Sequence, residues 1–188
     1  MAYGGRAARK IGLAEFEAMP AEDAYRIELV RGAVVREPRP GARHSRLVTE
    51  LLARLREHVR AQGLGIVLVD TGFRLPGEPA TVRGADVAFI AAARLPEVAP
   101  PGFWELAPDL AVEIVSPHDR WTAVQDKAFD YLDAGTREVW LIDPAARRAT
   151  VYRSRAESFV VDDVLDGGAV VPGFSLVLRD FFDAIRLR

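Results

Sequence analysis

Two short apolar runs constrain this chain most: DLAVEIV, from Asp109 to Val115, and VWLI, from Val139 to Ile142. Each has the length of a buried strand rather than of a helix. Pro117 helps to end the first, and an Asp143-Pro144 turn ends the second. Between them, Asp119 to Ala134 reads as a helix stopped by Gly135. Two buried-type strands with a helix between them point to a mixed α/β sheet covered by helices.

The remaining segments fit around that pair. LAEFEAMP is a short opening helix ended by Pro20, and RIELVRGAVVREP alternates around Arg31-Gly32 as a hairpin. Leu47, Val48, Leu51, Leu52, Leu55 and Val59 recur at helical spacing between Arg43 and Gln62, and this stripe should lie on the sheet. GIVLVDTGFRL and GADVAFI read as strands separated by the loop LPGEPATVRG. A Pro-rich loop runs from Leu95 to Gly102, ATVYRS follows as a hairpin partner, and the last 30 or so residues suggest two short strands and a closing helix.

With 188 residues, 49% of them apolar, the chain is long enough for one domain with a real core, spanning 1–188 with residues 1–12 flexible. It contains no cysteine, which excludes disulfides and thiolate metal sites and suits a reducing compartment. No apolar run approaches a membrane span and the start lacks a leader-type apolar region, so a soluble, cytoplasmic protein is expected. A net charge of −2 gives no global attraction to nucleic acid, so any DNA contact must come from a local patch. Arg43, Arg46, Arg83 and Arg120 are the candidates for one positive rim.

The chemistry centres on Glu113. Alternation places it with Asp109, Ala111 and Val115 on one strand face, among apolar neighbours. A buried carboxylate needs a cation, a metal or good hydrogen bonds. The ordinary alternative is a pair with one of the many arginines. Asp109 shares the face but lies ~13 Å along the strand, too far for one metal ion. Asp86, at the entrance of the strand GADVAFI, could stand beside Glu113 if the two strands were neighbours at ~4.8 Å; the ordinary alternative for it is a turn residue after Gly84.

Lys127 is one of only two lysines among 25 basic residues. It lies about two turns into the helix after the Glu113 strand, on the face of Val124 and Tyr131. Its stem could reach back toward that strand. His44 begins the apolar stripe of the long helix and could point to the same end of the sheet, or be an ordinary helix-start residue. Glu28 lies opposite its apolar neighbours and reads as solvated. His58 and His118 have no strong claim, and Trp104, Trp121 and Trp140 read as core or edge packing.

RIELVRGAVV, His44 before a long helix, TGFRL, RGADVAFI, PDLAVEIVSPHDRW, KAFDYLDAGTREVWLIDP and VPGFSL, in that order, resemble the Uma-type family of restriction-endonuclease-like proteins, within the PD-(D/E)xK nuclease superfamily. The resemblance covers almost the whole chain. It implies a restriction-endonuclease-like α/β fold, a central mixed sheet flanked by helices, and a Mg²⁺-dependent (or Mn²⁺-dependent) endonuclease acting on DNA. It implies Asp86, Glu113 and the Ile114 carbonyl as metal ligands, and Glu28 and His44 as further site residues. Val115 stands where the wider group has lysine; Lys127 is the candidate replacement, its ordinary alternative being an ion-pair partner on the helix surface. The competing expectation is an inactive member serving as a nucleic-acid-binding or regulatory module. A homodimer is a further expectation, since cutting two strands needs two sites.

Overall fold

The computed structural model describes residues 9–117 and 119–185. The expectation about His118 and most of that about residues 1–12 fall outside the described residues. Helix α1 spans Leu13–Glu17, and strands β1 (Tyr25–Val30) and β2 (Ala33–Pro38) form the first hairpin. Its turn residues Arg31 and Gly32 both have positive φ, 48° and 80°, the two-residue turn that matches the twist of paired strands. Helix α2 (Ala42–Ala61) precedes β3 (Gly65–Leu75) and β4 (Thr81–Ala91). Strand β5 (Leu110–Ile114), helix α3 (Trp121–Asp133) and strand β6 (Glu138–Asp143) follow, then β7 (Arg148–Tyr152) and β8 (Ser158–Val161). Strands β9 (Val164–Asp166) and β10 (Ser175–Val177) and helix α4 (Leu178–Asp183) end the described chain. Among the described residues no helix is long and apolar enough to cross a membrane.

Seven strands run in the order β2-β1-β4-β5-β6-β7-β8, with β3 also paired to β4. The β5–β6 pair is parallel and joined through α3; the other pairs in this sheet are antiparallel. Two apolar layers hold the sheet. On one face, Leu47, Leu51, Leu55 and Val59 of α2 and Phe181 and Phe182 of α4 pack with Val87, Phe89, Leu110, Val112, Ile114 and Trp140. On the other, Ala128 and Tyr131 of α3 pack with Ala88, Ile90, Ala111, Val139 and Leu141. This is the α/β architecture of a mixed sheet flanked by helices, as the sequence implied.

Two boundaries differ from the sequence reading. Strand β4 begins at Thr81, three residues before Gly84, because Thr81 to Gly84 pair with β3 despite the preceding Pro79. The terminal segment makes three short strands rather than two: β8 joins the main sheet, and β9 pairs with β10 apart from it.

The middle of β4 is a fork. Its first half pairs with β1 at Leu29↔Val82, and its second half pairs with β5 from Val87↔Val112 to Phe89↔Leu110. The same strand edge thus serves two partners in turn, and Asp86 sits where they diverge. The side-chain faces also exchange there. Arg83 bonds to Asp130 of α3, whereas Val87 and Phe89, of the same parity, pack with α2. Regular alternation would put all three on one face. The register to β3 is unchanged across the exchange, from Thr71↔Ala85 to Val69↔Val87, and Asp70 between them takes φ 47°.

Candidate active site

Asp86 is a mid-strand residue, so its alternative as a turn residue is wrong: the ladder to β3 continues on both sides of it. Its register with β5 places it across from Glu113, by continuation of Val87↔Val112. The ladder hydrogen bonds stop at that point, and the Asp86 carboxylate takes over the role of a strand partner. Oδ2 accepts the Ile114 N–H at 2.8 Å and lies 3.0 Å from His44 Nε2; Oδ1 accepts from Arg26 Nη1 at 3.0 Å. Burial opposes ionisation of Asp86, but the His44 hydrogen bond and the charges of His44, Lys127 and Arg26 hold its pKa at about 2. An ionised Asp86 accepts only, so His44 carries its shared proton on Nε2. Its buried Nδ1 has no partner.

Helix α3 turns Lys127, Asp130 and Tyr131 inward, since residues three and four apart share a helix face. The Lys127 ammonium lies 3.0 Å from Glu113 Oε2 and 2.9 Å from Glu28 Oε1, with Glu37 Oε2 at 3.6 Å. Glu28 is not solvated, which corrects the sequence reading. It is 3% exposed, because α3 covers the face of β1 that its polar pattern assigned to water. Its Oε1 also accepts the Gly84 N–H at 2.8 Å, and Oε2 accepts from Arg83 at 2.7 Å. Arg83 continues to Asp130, at 2.6 and 3.0 Å, and Asp130 to Arg31 at 2.7 Å.

Glu113 differs from its neighbours. Oε2 meets Lys127, while Oε1 is buried and, among the described residues, without a hydrogen-bond partner. Burial raises its pKa well above the carboxylate range; Lys127 opposes this, and Asp86, Glu28 and Glu37 add to it. Burial also works against the Lys127 charge, yet Glu113, Glu28, Tyr131 and Glu37 together hold its pKa well above the usual lysine value. For Glu28 the balance tips the other way. Burial is outweighed by Lys127, Arg83 and the Gly84 N–H, and its pKa falls. The ammonium therefore stays charged against ionised Glu28, and Glu113 is the carboxyl that keeps a proton longest as pH rises.

The five side chains singled out in the sequence thus fall into two linked groups, Asp86 with His44 and Glu113 with Glu28 and Lys127. Ile114 bridges them through its N–H. Four participants were missed. Arg26 and Glu37 alternate with Glu28 and Val35 along the first hairpin, Asp130 lies three residues beyond Lys127, and Tyr131 holds a buried hydroxyl without a partner. The four-arginine rim does not form. Arg83 is buried, whereas Arg43, Arg46 and Arg120 are exposed, the first two with bonds to the Pro144 and Ala184 carbonyls, so the rim lacks one of its four members. Trp104 and Trp140 pack inside, but Trp121 is exposed, against expectation.

A magnesium ion keeps several waters and uses one or two carboxylates. The buried, unpartnered Glu113 Oε1 fits that demand. Among the described residues, no group of three His, Asp or Glu side chains forms a ready-made metal cluster, so an ion here would be held largely by water and substrate. A family model described as "Uma2: Putative restriction endonuclease" matches residues 13–179. The chain belongs to the Uma2 family. A solved structure from Anabaena variabilis ATCC 29413, described as a "putative nuclease belonging to DUF820", matches with a TM-score of 0.82 and 25% identity, over 93% of this chain and 98% of that one. No curated protein matches. In this Uma2 chain, Val115 spends its N–H on the Ile142 carbonyl at 2.8 Å, and the ammonium beside Glu113 comes from α3 instead.

Proposed function

We propose that this chain is a Mg²⁺-dependent endonuclease that hydrolyses phosphodiester bonds in DNA, acting as one domain. The observation that carries the reading is the Lys127 ammonium set 3.0 Å from Glu113, whose other oxygen is left open beside the fork at Asp86. Asp86, Glu113 and the Ile114 carbonyl would hold the ion, with Mn²⁺ as a substitute. Bound there, it would lower the pKa of a water and offset charge on phosphate oxygens.

The other roles belong to the protein. Lys127 keeps its proton at neutral pH, which suits an electrostatic partner for a charged phosphate and not a general base. Glu28 fixes the ammonium from the side away from Glu113 and is itself tied by Arg83 and Gly84. It is a positioning residue. His44 orients Asp86 through Nε2 and helps keep it ionised. Glu113 would offer its unpartnered Oε1 to the cation.

The test is cleavage of single-stranded, duplex and branched DNA with Mg²⁺ or Mn²⁺. Asp86→Ala and Glu113→Ala should lose cleavage while keeping the native circular dichroism spectrum. Absence of cleavage by the wild-type protein on every substrate would sink the reading. One observation favours a second reading, a non-hydrolysing nucleic-acid-binding or regulatory module: both Asp86 oxygens are already taken by protein donors. That protein would bind DNA equally with and without Mg²⁺ and cut none. Cutting both strands of a duplex calls for two copies, which sedimentation of the protein with DNA would reveal.

A further inference from the structure

Arg26 is the group on the solvent side of Asp86. Its side chain is 21% exposed, while that of Asp86 is 3% exposed, and Nη1 spans Asp86 Oδ1 at 3.0 Å and Asp70 Oδ1 at 3.2 Å. Asp70 is 62% exposed and sits at the left-handed position opposite Asp86. The Arg26 Nε is buried with no partner among the described residues. The guanidinium thus uses a single nitrogen for two acids and leaves part of its donor fork unused, although guanidinium groups favour two-pronged contacts with carboxylate or phosphate.

Asp86 Oδ2 is pinned from two sides by His44 and the Ile114 N–H, so Oδ1 is the oxygen that can change partners. Arg26 occupies it. A cation at Asp86 must displace Arg26, and like charge then drives the guanidinium outward, where Asp70 already holds it. Released from Asp86, its fork would be free to meet an anionic oxygen beside the site.

We propose that Arg26 is an exchange residue: it neutralises Asp86 in the metal-free protein and, once a divalent cation takes Asp86 Oδ1, binds a non-bridging phosphate oxygen of the nucleic acid. This rests on the nuclease reading, and it adds the order of events. Metal binding creates the phosphate contact, and DNA and metal bind cooperatively through one side chain.

The experiment compares wild type, Arg26→Gln and Arg26→Lys by calorimetric titration with MgCl₂, and by fluorescence anisotropy with a cleavage-resistant phosphorothioate duplex in Mg²⁺ and in EDTA. Removing the competing charge in Arg26→Gln should tighten Mg²⁺ about tenfold, and should weaken duplex binding about tenfold in Mg²⁺ only, the worth of one charge-assisted contact. Arg26→Lys keeps the charge and loses the fork, so its Mg²⁺ affinity should stay near wild type while its duplex affinity in Mg²⁺ falls. Unchanged or weaker Mg²⁺ binding in Arg26→Gln overturns the exchange, as does an equal loss of duplex affinity in EDTA. If neither wild type nor Arg26→Gln binds Mg²⁺, the nuclease reading itself fails and takes this inference with it. If both bind Mg²⁺ alike, the inference fails alone.

Discussion

Asp109 immediately precedes β5 and Glu113 lies within it, and both are buried, yet the fold treats them in opposite ways. Asp109 Oδ2 accepts the Ala91 N–H at 2.8 Å and pairs with Arg94 at 3.1 Å. Its backbone carbonyl takes the N–H groups of Arg137 and Glu138, tying the start of β5 to β6. Glu113 has one ammonium and an oxygen with nothing to bond. Burial of a carboxylate is thus a poor signature of a site by itself. Leftover bonding capacity in a buried carboxylate is a better one, since a fold that needed only stability would have satisfied it.

That contrast can be broken by four measurements. The largest effect belongs to Lys127→Ala. It leaves Glu113 with no cation and Glu28 with only Arg83, and should cost about 3 kcal/mol by urea denaturation, together with cleavage. A cost near zero would mean that the cluster is already neutral without the lysine. Asp109→Ala, which strands the Ala91 N–H and Arg94, should cost about 2 kcal/mol and leave cleavage per folded molecule intact. Loss of activity in folded Asp109→Ala would erase the distinction between the two acids.

Acid should separate the two strands' carboxylates. The Asp86 pKa lies at about 2, below its ordinary 3.8, so its contribution of about 2 kcal/mol is complete above pH ~4 and disappears as pH falls toward 2. Glu113, raised by burial, acts with the opposite sign: its contribution is present at low pH and is lost as pH rises past the ordinary carboxylate range. Asp86→Asn should accordingly flatten the acid limb of a stability–pH curve, and an unchanged limb would contradict the depressed pKa. The smallest stability effect is that of Glu113→Gln. Replacing a carboxyl that favours its neutral form by a neutral amide of the same shape should change stability by less than about 1 kcal/mol, upward if at all, while cleavage disappears. A large destabilisation would place Glu113 with Asp109 as a structural residue.

The hairpin at Arg31-Gly32, the α2 stripe and the β5–α3–β6 unit were legible because each is specified by local pattern: turn chemistry, a 3.6-residue period, and short apolar runs around a glycine-stopped helix. Strand spacing allowed the Asp86–Glu113 juxtaposition and the family resemblance named it, while Lys127 came from its place after β5 in an arginine-rich chain. What local pattern could not convey was which polar face would be covered. Glu28 alternates like a solvated strand residue, and only the docking of α3 turns it inward. The start of β4 was hidden by Pro79 and Gly84, and the exchange of faces at Asp86 leaves no trace in alternation read from one strand. Arg26 escaped notice because its partner is 60 residues away and its strand face was read as wet.

A lysine delivered by α3 also ties competence to assembly. Strands β5 and β6 are parallel, so they can pair only once the crossover containing α3 has closed behind them. Before that moment Glu113 and Glu28 lack their shared cation. Docking of the helix is then an electrostatic step as well as a packing step: the covering of these acids and the arrival of their counterion become one event.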